Sequence, residues 1–423
     1  MSLPFAGAPS DDGQIRVLQL CRLDDKEPWR PLTKPIWTTQ ITLSTHYIAL
    51  VDTFKDGTKI VYARSGHKVP VSYISPYQAD REVGKVDPIV GVMACDKVEV
   101  GLDGLIPTLS SVELMFHIGD NVFADALCTP TTKDGVDIGD ALAKLYIKTW
   151  ARLPMNTMEH RLIPDDNDFA SDGLISQCRT HMAYLKQATK FNDLLGLAIN
   201  GAQREKEHYY TALFETATTQ YLAISNWVPN NAGVPQFVNN ERICQDLKAL
   251  KVAKGKGIVL MVSRCGFALI QSVATNRVFC ENEYSWNYNN YAAFGDLKQY
   301  WMEHAGIKDL TVICGDIHIP VSYDVAYTVK TGKDTHRIIR YKMYSTGTFS
   351  NLVEPHNEGD FVLSKKVPVT LKPIYHTAHL SHGNSYLQLQ RDRVYRIFKD
   401  QDIMYSTGTS IKYLLNGALN LPF

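Results

Sequence analysis

Residues 312–318, Val-Ile-Cys-Gly-Asp-Ile-His, run from an apolar strand directly into a glycine, an aspartate and a histidine. Residues 116–121, Phe-His-Ile-Gly-Asp-Asn, show the same arrangement earlier in the chain. A glycine lets the backbone turn sharply where a strand ends, and the next aspartate then projects from the carboxyl edge of a sheet, where α/β proteins build their sites. The two stretches therefore predict an α/β fold with Asp120, Asp316 and His318 at a cation site, since Asp316 and His318 lie on the same side of an extended chain.

Further segments extend this α/β pattern to both sides. Continuous apolar runs, typical of strands in a sheet covered on both faces, occupy residues 89–94, 111–118, 257–262 and 310–314. Helices are predicted at 137–150 and within 173–200, and strands again at 338–344, 386–390 and 394–398.

The N-terminal part of the chain has a different sequence pattern. Short β-branched runs separated by Asp-Gly and Ser-Gly turns, at residues 17–20, 39–43, 47–51 and 59–63, predict a small β-sandwich. We therefore expect a β-rich domain at 1–87, a polar linker at 78–85 and a larger domain at 88–423.

Composition excludes several classes of protein. Of 423 residues, 45% are hydrophobic and 21% charged, as in ordinary globular proteins, and Lys plus Arg equals Asp plus Glu at 44 each. No net field therefore favours nucleic acid or an anionic membrane. The first residues lack the basic and apolar regions of a secretory signal, and no apolar run reaches the roughly 18 residues of a membrane span. Eight scattered cysteines without CxxC pairs indicate reduced thiols, so we expect a cytoplasmic protein.

An acidic run lies between the two Gly-Asp stretches. Residues 165–172 contain four aspartates: Asp165, Asp166, Asp168 and Asp172. One interpretation is a solvated loop with an Asx-turn. The other is a set of hard oxygen ligands, because carboxylates held close together repel and are tolerated best when cations neutralise them. The position of the run, in a loop following an apolar step, favours the second.

The order of these motifs resembles that of the PhoD-like alkaline phosphatase and phosphodiesterase family of the metallophosphoesterases, from about residue 89 to 400. Six segments are similar in order: a strand ending in cysteine (92–95), His-x-Gly-Asp (117–120), an acidic loop (164–168), a strand before arginine (261–264), an aromatic segment before a helix (284–288) and Gly-Asp-x-His (315–318).

The resemblance implies a four-layer αββα sandwich after the N-terminal β-sandwich. It also implies a phosphatase or phosphodiesterase, in which a metal-bound hydroxide attacks the phosphorus of a phosphate monoester or diester. Asp120 would bridge metals and Cys95 would bind a ferric ion as a thiolate. The implied metal ligands are Cys95, Asp120, Asp165, Asp166, Asp316 and His318. Calcium and iron are the implied cofactors, with manganese, magnesium or zinc as alternatives.

Three residues are candidates for catalytic contacts: Asn121, Asn167 and Arg264. Asn121 would touch phosphate or cap the following helix. Arg264 would bind phosphate in a bidentate manner or form a structural ion pair. His117, which follows apolar residues, is either a core histidine that orients a neighbour or a ligand.

The chain also departs from the family pattern. Pro164 and Asn167 stand where the acidic motif has tryptophan and histidine, and Tyr284 stands where the aromatic segment has aspartate. Asn167 retains an amide oxygen that can bind a metal, whereas tyrosine is a poor proton donor to an alkoxide. These departures favour an alternative, a catalytically impaired binding or structural protein on the same fold. A second alternative is a nucleic acid phosphodiesterase, for which the basic segment 251–256 is the sequence indication.

Overall fold

The computed structural model describes residues 15–22, 46–53, 59–62, 87–98, 102, 104–124, 127, 138–150, 152–153, 158–169, 182–200, 209–250, 252, 254–264, 270–272, 288–316, 318, 321–330, 333, 335–350, 361–363, 370–376, 384–390, 393–398, 403–406 and 411–414.

Strands dominate these residues. They are β1 (Ile15–Arg22), β2 (His46–Thr53), β3 (Lys59–Tyr62), β4 (Val90–Met93), β5 (Leu114–Ile118), β6 (Glu159–Ile163), β7 (Thr211–Glu215), β8 (Thr219–Ile224), β9 (Trp227–Pro229), β10 (Pro235–Phe237), β11 (Gly257–Val262), β12 (Ile270–Ser272), β13 (Leu310–Cys314), β14 (Val321–Lys330), β15 (His336–Ser345), β16 (Phe361–Leu363), β17 (Thr370–His376), β18 (Ser385–Gln390), β19 (Arg393–Phe398), β20 (Ile403–Ser406) and β21 (Ile411–Leu414). The α-helices are α1 (Ile138–Trp150), α2 (Met182–Asn200), α3 (Asn240–Leu247) and α4 (Tyr288–Ala305), and short 3₁₀ helices cover Ile106–Ser111 and Asp166–Phe169.

Two seven-stranded sheets organise the described part of the chain. The first large sheet has the order β21-β20-β19-β18-β4-β5-β6, and the second has the order β17-β14-β15-β13-β11-β8-β7. Strands β4, β5 and β6 are parallel in the first sheet. Strands β8, β11, β13 and β15 are parallel in the second. The remaining pairs in both sheets are antiparallel. The carboxyl ends of the parallel strands are thus available for a site in each sheet.

Strand β11, near the middle of the second large sheet, is buried on both faces. Along β11, Val259 and Met261 pack in the core that contains strands of both large sheets. Ile258, Leu260 and Val262 pack instead in a second core with side chains of α3 and α4. Successive side chains of a strand point to opposite faces, so a strand between two cores must be apolar throughout. This explains the continuous apolar run at 257–262.

The mixed α/β class and the main elements predicted from sequence are confirmed. One boundary was wrong: the strand expected at 111–118 begins only at Leu114, because Ile106–Ser111 forms a 3₁₀ helix with a proline in its first turn. None of the described helices combines enough length and apolarity to cross a membrane.

The N-terminal part is described only at β1, β2 and β3, which form an antiparallel three-stranded sheet. These strands coincide with three of the four predicted runs. The fourth run, 39–43, and the linker at 78–85 lie outside the described residues. The β-sandwich and the division into domains 1–87 and 88–423 stay predictions.

Candidate metal centre

The candidate ligands follow the carboxyl ends of parallel strands from both large sheets. Strand β4 leads to Cys95, β5 to Asp120 and β6 to the acidic loop, while β11 leads to Arg264 and β13 to Asp316. Parallel strands bring their carboxyl ends to one edge of a sheet. The residues that the sequence placed at separate strand ends therefore meet where the edges of the two sheets come together.

Potential ligand atoms form two groups that share Asp120. Cys95, Asp120 and His318 offer sulfur, oxygen and nitrogen atoms within 4.8 Å of one another. Asp120 also belongs to an all-oxygen group whose atoms lie within the same 4.8 Å limit; its members are Asp120, Asp165, Asp166 and Asp316. The structure thus brings together all six predicted metal ligands. Their role in metal binding stays a proposal.

Four of these residues have unusual backbone conformations. In the described part of the chain, the non-glycine residues with positive φ are Cys95 (60°), Asp120 (49°), Asp316 (68°) and His318 (57°). The left-handed region is unfavourable for residues with a Cβ atom and persists only where the surroundings enforce it, often at functional sites. Each of these side chains is therefore held in place against a local backbone preference.

The two glycines of the Gly-Asp pairs allow the strand ends to approach closely. A Cβ atom on Gly315 would lie 2.7 Å from Ala94 Cβ and 3.0 Å from the Ser263 carbonyl oxygen. Gly119 has φ 108°, and a Cβ atom there would lie 2.7 Å from Asp165 Cβ. Such separations are shorter than van der Waals contact, so the ligands can meet only because glycine occupies both positions.

We expect Gly315→Ala to destabilise the protein by about 1–3 kcal/mol, the usual cost of overpacking, and to weaken cation binding. The new methyl group would push the end of β13 away from the ends of β4 and β11. Thermal unfolding and metal titration would measure the two effects. Gly257→Ala is the matched control, because its Cβ atom would meet nothing closer than 3.9 Å. Equal behaviour of the two variants would contradict the close-approach argument.

Several buried oxygens of the centre lack hydrogen-bond donors. From the described residues, no donor reaches either carboxylate oxygen of Asp165, Oδ1 of Asp120 or Oδ1 of Asn167. Their residues are at most 5% exposed. Buried polar atoms are normally satisfied, so this concentration of free oxygen lone pairs points to a missing electrophilic partner. Asn167 therefore presents the free amide oxygen that its predicted role requires.

The same burial changes the pKa values of the aspartates in the centre. Burial raises the pKa of Asp120 and of Asp165 well above the ordinary value of 3.8, and the neighbouring carboxylates, Asp166 foremost, raise both further. Desolvation and like-charge repulsion both disfavour the ionised forms. A cation bound between the carboxylates would offset both effects.

Burial shifts the pKa values of Cys95 and His318 in opposite directions. Burial raises the pKa of the Cys95 thiol, and Asp120 and Asp316 add to the rise. The thiol lies 3.5 Å from Asp120 Oδ2. Burial lowers the pKa of His318 to about 4, an effect that Asp166 opposes and Lys97 reinforces. His318 is therefore neutral at physiological pH, as a metal-binding imidazole must be, whereas Cys95 would ionise on binding a metal.

Arg264 reaches into the oxygen group. Its Nη1 donates to Asp166 Oδ2 at 2.8 Å, and its Nε lies 3.8 Å from Asp316 Oδ2. Its backbone N–H donates to Oδ1 of the buried Asn226, which follows β8. The structural ion pair, one of the two predicted alternatives, is therefore present. The bidentate contact with phosphate stays a prediction.

No protein-family model and no curated protein matches the chain. It is similar to the solved structure of PhoD, with 8% sequence identity and a TM-score of 0.49, over 99% of this chain and 92% of that chain. PhoD, whose family the motif order resembles, is thus among the similar structures. A dimetal phosphatase from Danio rerio is similar at 10% identity and a TM-score of 0.36, over 79% of this chain and 100% of that chain. A cold-active protein-tyrosine phosphatase from a psychrophilic Shewanella is similar at 9% identity and a TM-score of 0.31, over 89% of this chain and 98% of that chain. Similarities of this size carry no information about activity, which has to come from the residues of the site.

Asp168 is central to the architecture of the centre, although the sequence indicated no separate role for it. Its Oδ1 accepts hydrogen bonds from the Asn121 amide (3.0 Å), the Val122 amide (3.3 Å) and the Tyr146 hydroxyl (2.6 Å). Its Oδ2 accepts from the Asp165 amide (2.8 Å) and Asn121 Nδ2 (3.0 Å). This one carboxylate therefore ties the loop after β5 to the loop after β6.

Burial raises the pKa of Asp168 to about 7, and hydrogen bonds from Tyr146 and from backbone amides oppose the rise. Its place in the acidic run was the only signal in the sequence. Four nearby aspartates cannot be divided into ligands and supports by spacing alone.

A second support that the sequence did not indicate lies behind Cys95. Residues 346–350, Thr-Gly-Thr-Phe-Ser, follow β15 at the same edge of the second large sheet. The Phe349 amide donates to the Ala94 carbonyl oxygen, and the Ser350 amide and the Thr348 hydroxyl donate to the Cys95 carbonyl oxygen. This loop holds the turn that carries Cys95. A glycine-containing polar stretch after a strand was the available signal.

The remaining candidates are now placed. Asn121 Nδ2 donates to Asp168 and to the Ile163 carbonyl oxygen, so in this structure the side chain holds the acidic loop. Its predicted catalytic role stays a prediction. His117 Nε2 pairs with His160 Nδ1 at 3.0 Å, and its ring packs against Trp150, which agrees with the core-histidine alternative. Tyr284 lies outside the described residues.

Proposed function

We propose that the chain is a metal-dependent phosphoesterase that hydrolyses phosphate monoesters or diesters. One observation carries the proposal: Asp165 is fully buried, no described donor reaches either of its oxygens, and it lies among the oxygens of Asp120, Asp166 and Asp316. When these carboxylates are ionised they repel one another, and a bound cation would neutralise that repulsion. The order of motifs, which resembles the PhoD-like family, connects this centre with phosphate esters.

The donor atoms fit two kinds of cation. The all-oxygen group would hold a hard cation such as calcium, magnesium or manganese. Cys95 and His318, together with Asp120, would hold iron or zinc, which accept sulfur and nitrogen ligands. Bound there, the cations would neutralise the charge of a phosphate ester and lower the pKa of water. Calcium with iron is the combination that we propose first, because the resemblance implies it.

The chain's own residues would prepare the reaction in three ways. Arg264 offers a guanidinium to the phosphate oxygens, the type of group that matches their geometry best. Asn167 directs a buried amide oxygen that lacks a donor towards a ligand. The burial of Cys95, Asp120 and Asp165 excludes bulk water and strengthens every electrostatic interaction inside. Asn121, Asn167 and Arg264 remain the proposed catalytic residues.

The proposal extends to the architecture. The second large sheet shares one core with the first and another with α3 and α4. This arrangement supports the four-layer αββα sandwich as the form of the domain at 88–423.

The alternative functions differ in their support. A catalytically impaired binding protein is favoured by Asn167 and Tyr284, where the chain differs from the family pattern. The nucleic acid alternative rested on the basic segment 251–256, in which Lys256 forms an ion pair with Glu215. That pairing leaves less positive charge for a phosphate backbone.

The proposal is tested by stripping the purified protein of metal and restoring calcium, iron or manganese singly and in pairs. We expect bound metal, and turnover of an aryl phosphate monoester or diester that depends on it. A cation at about 100 times its dissociation constant should also stabilise the fold by about 2.7 kcal/mol. Bound metal without turnover would select the impaired-protein alternative. If the protein binds no metal and shows no turnover, the proposal is refuted.

The metal-induced stabilisation should increase with pH. The pKa values of Asp120 and Asp165 are raised above their unfolded value of 3.8. Folding is therefore helped by their protonated forms below that pH, and this help is lost as the pH rises through the folded values. Cations remove the repulsion between the ionised forms, so the thermal shift should be larger at pH 8 than at pH 5. An equal shift at both values would show that the cation binds elsewhere.

A further inference from the structure

Arg264 occupies a position that a cation at the oxygen group would compete for. Its guanidinium is bonded to Asp166 and close to Asp316, and both aspartates belong to the cluster of potential ligands. The side chains of Arg264 and Asp166 are only 6% and 3% exposed. The positive charge is thus taken out of water with these carboxylates as its counter-ions.

Contacts with Asn226 and Phe237 hold Arg264 in position. Asn226 accepts from the Arg264 backbone amide at 3.0 Å, and the Asn226 side chain itself donates to Asn240 and to the Val238 carbonyl oxygen. The guanidinium carbon lies 5.8 Å from the centre of the Phe237 ring. The backbone of Arg264 therefore cannot retreat, and only the end of the side chain is able to change partners.

We infer that cations and Arg264 compete for Asp166 and Asp316, and that a bound cation redirects the guanidinium to the phosphate group of the substrate. This inference rests on the proposed function. The Asp166 and Asp316 carboxylates are counter-ions of a guanidinium whose side chain is only 6% exposed, and a buried charge that loses such a partner is destabilised by several kcal/mol. An incoming phosphate oxygen supplies the missing counter-ion. Each ligand therefore favours binding of the other, and Arg264 couples the two events.

The competition predicts a direction of change in cation affinity, which can be measured. Without phosphate, Arg264 weakens cation binding, because it neutralises the carboxylates that attract the cation. With phosphate, the guanidinium is engaged elsewhere, and the cation binds more tightly. Linkage requires that the cation strengthens phosphate binding by the same factor.

The test uses the full chain, manganese as the cation and inorganic phosphate as the anion, with affinities measured by isothermal titration calorimetry. We expect Arg264→Gln to bind manganese at least about fivefold more tightly than the wild type in the absence of phosphate, the lower end of typical coupling between sites. In manganese-loaded protein the same variant should bind phosphate about 10- to 100-fold more weakly, the loss of a charged hydrogen bond. The factor by which phosphate strengthens manganese binding should also decrease.

Two further variants test whether the effect depends on the positive charge at position 264. Arg264→Lys keeps the charge, so its manganese affinity should stay near that of the wild type. Arg242→Gln removes a positive charge from an exposed ion pair on α3, 67% exposed at the arginine, and should change neither affinity. Circular dichroism establishes that each variant is folded.

The outcomes distinguish this inference from the proposed function. If the wild type binds manganese but Arg264→Gln binds it no more tightly, the competition is refuted and the metal centre stands. Weaker manganese binding by a folded Arg264→Gln would refute it as well, since the arginine would then only support the ligands. If the wild type binds no cation, both the inference and the metal centre fail.

Discussion

Asp316→Asn is expected to lower kcat/KM for an aryl phosphate by more than about 100-fold while leaving the fold intact. Removal of residues that merely support a metal ligand costs about 10- to 100-fold in affinity or activity, so loss of a ligand should exceed that range. Asp316 also faces Arg264, and the neutral amide would remove the negative charge from this ion pair. Because the change is isosteric, the left-handed turn after β13 should be retained.

Metal content and activity of the purified variant would be measured together. The control is Asp309→Asn, at the other end of β13, where the side chain is 58% exposed and pairs with Lys298. Asp309 lies at the end of the strand that is opposite to Asp316, so activity should be unchanged. Full activity in Asp316→Asn would show that the metal centre has been misplaced.

Asp168→Ala is expected to produce the largest loss of stability. The carboxylate accepts five hydrogen bonds from the loops after β5 and β6 and from α1. Without it, buried donors such as the Asp165 and Val122 amides have no acceptor, at roughly 1–3 kcal/mol for each donor left unsatisfied. The loop that carries Asp165 would also lose its position, so cation affinity should fall together with the free energy of unfolding.

Chemical denaturation and metal titration would separate the two effects. Asp168→Asn retains one acceptor oxygen and should lie between the wild type and the alanine variant. Asp246→Asn is a suitable control, since Asp246 also accepts from a tyrosine hydroxyl but its side chain is 43% exposed. A stable Asp168→Ala protein with normal cation affinity would remove Asp168 from the proposed support of the centre.

The predictions that succeeded rest on local chemistry. A glycine between an apolar strand and an aspartate lets the backbone turn or approach another strand closely; Gly119 has a positive φ, and Gly315 allows close approach to Ala94 and Ser263. The continuous apolar run at 257–262 reflects burial on both faces, which is a property of the strand itself. The sequence also predicted that Asp120 and Asp316 each follow the end of a strand, but strands β5 and β13 belong to different sheets, and only the tertiary structure brings these two strand ends together.

Other features depend on contacts between distant residues. His117 lies three positions before Asp120, but its ring contacts His160 and Trp150, whereas Asp120 follows the end of β5 in a left-handed conformation and joins the potential ligands. Asp165 and Asp168 lie in one acidic run, yet the first presents two oxygens without described donors and the second accepts five hydrogen bonds. Only the positions of the donors distinguish them.

A hexapeptide that occurs twice in the chain shows that local sequence alone does not decide how a strand pairs. Met-Tyr-Ser-Thr-Gly-Thr occurs at residues 343–348 and again at 404–409. The first copy ends the parallel strand β15 and holds the turn of Cys95. The second copy begins in β20, which is antiparallel to both of its neighbours. The same short sequence thus begins in strands whose pairing differs.

The sequence by itself determined the α/β class, the main strands, and the residue types that could meet at a centre: cysteine, aspartate, histidine and arginine at strand ends. These properties follow from local periodicity and from the chemistry of single side chains. The tertiary structure decided which aspartates lack donors, which one ties the loops together, and that Arg264 already pairs with two potential ligands. Burial and hydrogen bonding between residues far apart in the chain set these roles, and neither can be read from the order of residues alone.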